Sequence, residues 1–216
     1  MMTIYTNYDD ENSAELCAEI LANGGTIIYP TETLYGLGGI STDEQCYRSI
    51  LRIKKRPPAK PFPVLVRDIN MLNEYAIVDD IANILIDNFW PGPLTLILNI
   101  RKNVFPDIAD TSNSAGTVGF RISSNLFVKK LFKLIDKPII STSANISGDE
   151  NIYTFEDLKA VFAGKVDLII NSGTISASKG STIVDCTVNP PKIVRDGDIP
   201  KNIIYQLTGY GNNIGI

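Results

Sequence analysis

The chain reads as an α/β protein, with a mixed sheet flanked by helices, and two observations carry that reading. Short apolar runs of strand length intermix with segments whose apolar residues recur every three to four positions. The mixture keeps no strict strand-helix-strand period, so a mixed sheet is expected rather than a purely parallel one. At 216 residues, 44% of them hydrophobic and 20% charged, the composition is that of a globular chain able to bury a real core. No Pro/Ser-rich linker or repeat divides residues 1–216, which are expected to form a single domain.

Each element follows from a local signal. Asn12 or Ser13 caps a first helix, with Leu16, Ile20 and Leu21 on one face and Gly24-Gly25 as its stop. Residues 26–29 form the first strand. Thr42-Asp43-Glu44-Gln45 matches a capping box and opens a helix through Tyr47, Ile50 and Leu51 toward Lys54. A short strand over 63–66 precedes a helix over 79–89 with Ile81, Ile84 and Leu85 inward. Trp90-Pro91-Gly92-Pro93 breaks that helix ahead of a strand over 94–100. Next come a strand over 118–122 and a helix over 124–135 whose stripe is Phe127, Leu131 and Leu134. A strand over 138–140 runs into a polar segment, 141–148. Residues 154–162 are helical, 168–170 extended and 172–181 a Gly/Ser loop. Strands over 181–185 and 192–195 follow, and Pro200 opens a closing helix through Leu207 with Gly209 past its end.

Several classes of chemistry are excluded by what is absent. The chain has no histidine, which removes Ser-His-Asp and Cys-His catalysis, His-ligated zinc and imidazole acid-base steps. Cys17, Cys46 and Cys186 are widely spaced and odd in number, so they read as reduced cysteines rather than a disulfide frame or metal site. No window approaches 18 consecutive apolar residues, and the first residues lack a basic region followed by an apolar run. A cytosolic chain with no membrane partner is expected.

Charge is unevenly placed. The net charge is −4, yet the segment Arg52 to Lys60 holds five cations and no acid, leaving −9 on the rest. A concentrated basic loop on an acidic chain points to a discrete anion site. The usual phosphate motifs do not supply it. Ser178-Lys179-Gly180-Ser181-Thr182 has P-loop letters in the wrong order, and Gly36-Leu37-Gly38-Gly39 lacks the third glycine of a dinucleotide turn. Four polar segments beside strands remain: a glycine-rich loop after the first strand, the basic loop, 141–148 and 181–195.

In order along the chain stand "YPTETLYGLGG", "IKKRPPAKPFPVLV", "WPGPLTLIL", "VGFRI", "STSANISG", "STIVD" and "IVRDG". This series, spanning about residues 24–197, resembles the YrdC-like family of threonylcarbamoyl-adenylate synthases. The resemblance implies a twisted α/β sheet around a concave site. It also implies a reaction of L-threonine, bicarbonate and ATP, with Mg²⁺, giving threonylcarbamoyl-AMP and pyrophosphate. That product feeds modification of adenosine 37 of tRNA through a downstream threonylcarbamoyl transferase complex, so contact with tRNA itself is expected to be indirect or weak.

By the same resemblance, Lys54 and Arg56 of the K-x-R pair are the catalytic cations on the triphosphate, with Lys60 and Arg195 as further ATP-binding candidates. Ser143 and Asn145 resemble the family's nucleotide-contacting S-x-N pair. Thr31, Thr33 and Tyr35 would line the threonine pocket, Arg121 would pair with a carboxylate, and Ser181 and Thr182 would add ligand contacts. No metal site of the protein's own is expected. Fixed cations make physical sense here, because a carbamate attacking a triphosphate brings two anions together. The pattern departs from the family at Pro63-Val64-Leu65-Val66, where some relatives carry a histidine, and at Lys60, where many carry a neutral residue. Longer relatives have a second domain, whereas little follows Leu207 here. Two other readings stay open: a carbamoyl-handling relative on the same fold, and an RNA-binding module.

Overall fold

The computed structural model describes residues 2–57, 61–102, 104–105 and 116–210; Lys60 lies outside the described residues. The first elements are β1 (Ile4–Asn7), α1 (Ser13–Ala22), β2 (Ile27–Pro30), β3 (Tyr35–Gly38), α2 (Glu44–Ile53) and β4 (Val64–Leu65). The middle of the chain forms α3 (Ile69–Tyr75), β5 (Ala76–Ile77), α4 (Asp80–Phe89), β6 (Leu94–Ile100), β7 (Thr117–Arg121) and α5 (Leu126–Leu131). Then follow β8 (Ile139–Ile140), β9 (Thr142–Ser143), α6 (Phe155–Phe162), β10 (Leu168–Asn171), β11 (Thr182–Asp185), β12 (Lys192–Arg195) and α7 (Lys201–Leu207).

Where one mixed sheet is expected, there are two. The first has the order β1-β10-β2-β3-β9, and the second β12-β11-β6-β7-β4-β8 with β5 added on β6. Each contains parallel and antiparallel pairs. Ser141 alone separates β8 from β9, so the chain steps there from the second sheet to the first. Its amide donates to the Pro63 carbonyl at 2.8 Å, tying the step to the residue before β4.

The two sheets differ in how they are covered, and that difference makes the site. The first is buried on both faces: Ile27, Tyr29 and Ile170 pack into one apolar cluster, Ile28, Leu37 and Ile169 into another. Across β6, β7 and β11 the second buries one face, through Leu94, Leu96, Leu98, Val118, Phe120 and Val184, whereas β8 at its end is buried on both, Ile139 in one cluster and Ile140 in the other. In those three strands the alternate residues turn the other way, as the two-residue period of a strand requires. That open face is the floor of a cavity.

Several local readings need correction. Tyr35–Gly38 is a fully buried central strand between β2 and β9, not a loop; its two glycines lower its strand propensity while serving its packing. A Cβ on Gly38 would lie 2.3 Å from the Ile140 carbonyl, so only glycine admits β3 beside the crossing segment. Helix α2 starts one residue later than its capping box suggests, with the Asp43 carboxylate accepting from the Cys46 amide at 2.9 Å. Ile84 and Leu134 are exposed, at 40% and 46%. Helix α4 buries Leu85 as expected, but with Ala82 and Ile86 rather than Ile84 beside it, and α5 ends at Leu131 before its stripe reaches Leu134.

Candidate functional site

A cavity of about 800 Å³ opens over the free face of the second sheet. Its lining takes residues from β6, β7 and β11 as floor, and from the 31–36, 54–56, 141–148 and 180–181 segments around it. Ten of the candidate residues meet there: Thr31, Thr33, Tyr35, Lys54, Arg56, Arg121, Ser143, Asn145, Ser181 and Arg195.

Lys54 caps the C-terminal end of α2 and is 3% exposed. Its ammonium donates to the Ser143 carbonyl at 2.7 Å, the Asn145 carbonyl at 2.9 Å and Asn145 Oδ1 at 3.2 Å. An ammonium has three donors, and all three are taken. Burial, assisted by the charge of Arg56, pulls the amine down to about 8. Lys54 therefore fastens the 143–145 segment, which the sequence treats as a separate candidate. Within that segment Ser143 Oγ donates to Asn145 Oδ1 at 2.7 Å, and Asn145 Nδ2 to the Asp149 carbonyl at 2.7 Å.

The turn that follows is unusual for its residue. Lys55 holds φ +51°, a left-handed conformation in which its amide reaches the Arg52 carbonyl at 3.1 Å and the Arg56 amide the Leu51 carbonyl at 3.0 Å. This is the double closure of a Schellman cap, made with lysine where glycine is usual. It sends Arg56 onto the ring of Phe62, 4.9 Å from its centroid, at the cavity wall.

Arg121 ends β7 and is 6% exposed. Its Nη2 pairs with Glu32 Oε1 at 2.7 Å, and both Nη atoms donate to Thr33 Oγ1 at 3.2 Å. Glu32 also accepts from the Ser123 hydroxyl at 2.5 Å and the Ser124 amide at 3.2 Å. Burial pushes the Glu32 carboxyl up, but Arg121 and Ser123 outweigh it and hold it below the usual carboxylate range. Thr31 Oγ1 donates to the Leu34 carbonyl at 2.6 Å while accepting from the Thr33 and Leu34 amides. The polar turn after β2 is thus a bonded cradle for Arg121. It is not a row of free hydroxyls facing a ligand.

Two other candidates are spent on the fold. The Tyr35 hydroxyl donates to the Gly173 carbonyl at 3.0 Å and accepts from the Ser172 amide at 2.9 Å. Thr182 is fully buried and lies outside the cavity wall, its hydroxyl exchanging bonds with the Ile199 backbone at 2.8 and 3.0 Å. One residue earlier, Ser181 does face the cavity. Its hydroxyl bonds Thr95 Oγ1 at 2.8 Å and accepts from Arg195 Nη2 at 3.0 Å, while the same guanidinium grips the Ser181 carbonyl at 2.7 Å. Thr95 and Gly119 escape sequence reasoning as site residues. For Thr95 a signal existed: within Leu94-Thr95-Leu96 it is the one polar residue in an alternating strand.

Among the described residues no cluster of three or more His, Cys, Asp or Glu could hold a metal ion, and no helix is long and apolar enough to cross a membrane.

A threonylcarbamoyl-AMP synthase of Pyrococcus abyssi is 32% identical over 212 residues, covering 96% of this chain and 62% of the relative, so the chain spans under two thirds of that protein. The crystal structure of P. abyssi Sua5 complexed with L-threonine superposes with a TM-score of 0.86 at 30% identity, over 97% of this chain and 61% of that one. A Methanocaldococcus jannaschii protein provisionally named threonylcarbamoyl-AMP synthase is 35% identical over 93% of this chain and 94% of its own length. The uncharacterized YciO of Escherichia coli is 34% identical over 83% of this chain and 86% of its own. The Sua5/YciO/YrdC family model, described as telomere recombination, matches residues 19–197. With nearly the whole chain matched in sequence and superposed in fold, this protein belongs to the Sua5/YciO/YrdC family.

Proposed function

We propose that the chain is a threonylcarbamoyl-AMP synthase, joining L-threonine, bicarbonate and ATP into threonylcarbamoyl-AMP with release of pyrophosphate. The observation that carries this is the cavity itself: four cationic side chains, Lys54, Arg56, Arg121 and Arg195, gather in its wall on a chain of net charge −4. The relatives named above, and the Sua5 structure bound to L-threonine, support the substrate.

In this reaction the amino group of threonine and bicarbonate condense to a carbamate, with loss of water. A carbamate oxygen then attacks the α-phosphorus, and pyrophosphate leaves. Both partners are anions, so the work of the site is to hold them close against their repulsion. Arg56 and Arg195 meet the triphosphate in this scheme. Arg121, kept rigid by Glu32 and Thr33, offers fixed positive charge to the carboxylate or carbamate. Lys54 acts one step back, lending charge and holding Ser143 and Asn145 in place for the nucleotide. Mg²⁺ would arrive on ATP as part of the substrate. The product is a mixed anhydride, which a threonylcarbamoyl transferase acting on tRNA would consume. The relatives favour neither an RNA-binding module nor a carbamoyl-handling enzyme.

The test is pyrophosphate release assayed with threonine and bicarbonate present together or singly. Release that requires both is expected. The same rate with threonine omitted would overturn the assignment.

A further inference from the structure

We propose that Asp185 reads the base of the bound nucleotide, accepting the exocyclic amino group of adenine and so selecting ATP over 6-oxo purine triphosphates. This rests on the reading that the cavity holds ATP. Asp185 is the one carboxylate among the described residues of the cavity lining, in a wall otherwise marked by cations.

Its position follows from strand geometry. In β11, Thr182 and Val184 face the core, while Ile183 and Asp185 face the cavity. Ser181, held by Arg195, begins the same row, and four residues of strand place Asp185 roughly 13 Å further on. Phosphates drawn to Arg195 therefore lie at the opposite end from this carboxylate, which would repel them.

Between the two ends the floor carries Ile183 and Thr95, then Ile97 and Gly119. Ile97 pairs in register with Asp185 on one side and Gly119 on the other, so the three sit side by side across the sheet. Ile183 precedes them, and Gly119 contributes no side chain. A planar ring laid on Ile97 and Gly119 brings its edge to Asp185.

The carboxylate is also oriented. Oδ1 accepts from the Thr187 amide at 2.9 Å and the Thr187 hydroxyl at 2.6 Å. Among the described residues Oδ2 has no such bond, and Asp185 has no ion pair. An ionised carboxylate only accepts hydrogen bonds. It suits the 6-amino group of adenine and opposes the 6-oxo group of hypoxanthine or guanine.

The experiment compares ATP, inosine triphosphate and purine riboside triphosphate, which lacks any 6-substituent, in threonine-dependent pyrophosphate release. Calorimetric binding of the same three nucleotides is measured beside it. With the wild-type protein, ATP should exceed purine riboside triphosphate by about tenfold or more, and inosine triphosphate by a wider margin. Asp185→Asn keeps an acceptor for Thr187 but can donate to a 6-oxo group. It should lower the ATP-to-inosine preference by about tenfold or more. Equal use or equal binding of ATP and purine riboside triphosphate by the wild type would overturn the proposal, whether or not the variant folds. An unchanged ratio in a folded Asp185→Asn protein would overturn it too. Base preference in binding without threonine-dependent turnover would instead sink the proposed reaction and uphold the role of Asp185.

Discussion

Arg121 depends on Glu32 and Thr33 for its partners, and that dependence can be measured. Replacing Arg121 with Ala leaves the Glu32 carboxylate buried beside Ser123 without its counter-ion. Breaking such a pair costs about 3–5 kcal/mol, read as a shift in the urea midpoint at neutral pH. The cost should shrink in acid. Glu32 titrates below its usual value in the folded protein, so the pair stabilises fully above the ordinary glutamate range and less as pH falls through the lowered value. A cost independent of pH down to that range would contradict the pairing. Lys54 behaves oppositely. Its folded value of about 8 lies below the usual lysine value of 10.5, so the unfolded chain binds more protons between them. Its contribution to stability therefore rises with pH across that window, while its positive charge in the site is lost. ATP binding should weaken as pH climbs through about 8, and the Lys54→Met protein should not show that step. Lys54→Arg keeps the charge but puts a planar fork where three oxygens surround an ammonium; turnover should fall about tenfold or more. Full activity in Lys54→Arg would mean that charge alone matters. The residue types of this site were legible in the sequence. Their bonds were not, because Thr33 meets Arg121 across 88 positions and Lys54 meets Asn145 across 91.

Among the elements, those announced by local chemistry were the readable ones. The Trp90-Pro91-Gly92-Pro93 break set the start of β6 correctly, and β12 matched its run of Lys192 to Arg195. Those that escaped include β3, whose glycines are required by neighbours that only the tertiary fold supplies, β1, whose residues are mostly exposed at a sheet edge, and the short α3 and β5. The Schellman turn after α2 was also hidden, since lysine is a poor sign of a left-handed residue. Its left-handed backbone costs Lys55 about 1 kcal/mol relative to glycine. Lys55→Gly should stabilise the fold by up to about 1 kcal/mol in a denaturant titration; a loss of stability would mean the turn is relaxed as it stands. Gly197 makes the opposite case. A Cβ there would fall 2.3 Å from the Thr182 nitrogen and 2.4 Å from the Ser181 carbonyl carbon, both backbone atoms that cannot swing aside. Gly197→Ala should cost about 1–3 kcal/mol and displace Ser181, lowering stability and turnover together.

At the scale of the molecule, the basic segment and the acidic remainder have been brought into one arrangement. Lys54 and Arg121 are buried and bonded to the protein's own carbonyls, a hydroxyl and one carboxylate, while Arg195, exposed on β12, is fastened to Ser181. Charges placed this way attract a small anion that enters the cavity. They do little for a phosphate backbone passing over the surface, which needs cations spread along its path. The net charge of −4 is legible in the sequence, but not the fact that these cations line one cavity. Binding to tRNA should therefore be weak, with a dissociation constant of about 10⁻⁵ M or above at physiological salt, in the range of non-specific contacts. Few phosphates would be neutralised, so the affinity should fall with salt as a loose electrostatic complex does and show no preference among tRNA sequences. Filter binding at 50 and 200 mM salt with two unrelated tRNAs would measure both features. Tight binding that discriminates between the tRNAs and survives the higher salt would mean that this chain, and not only a downstream transferase, recognises the RNA.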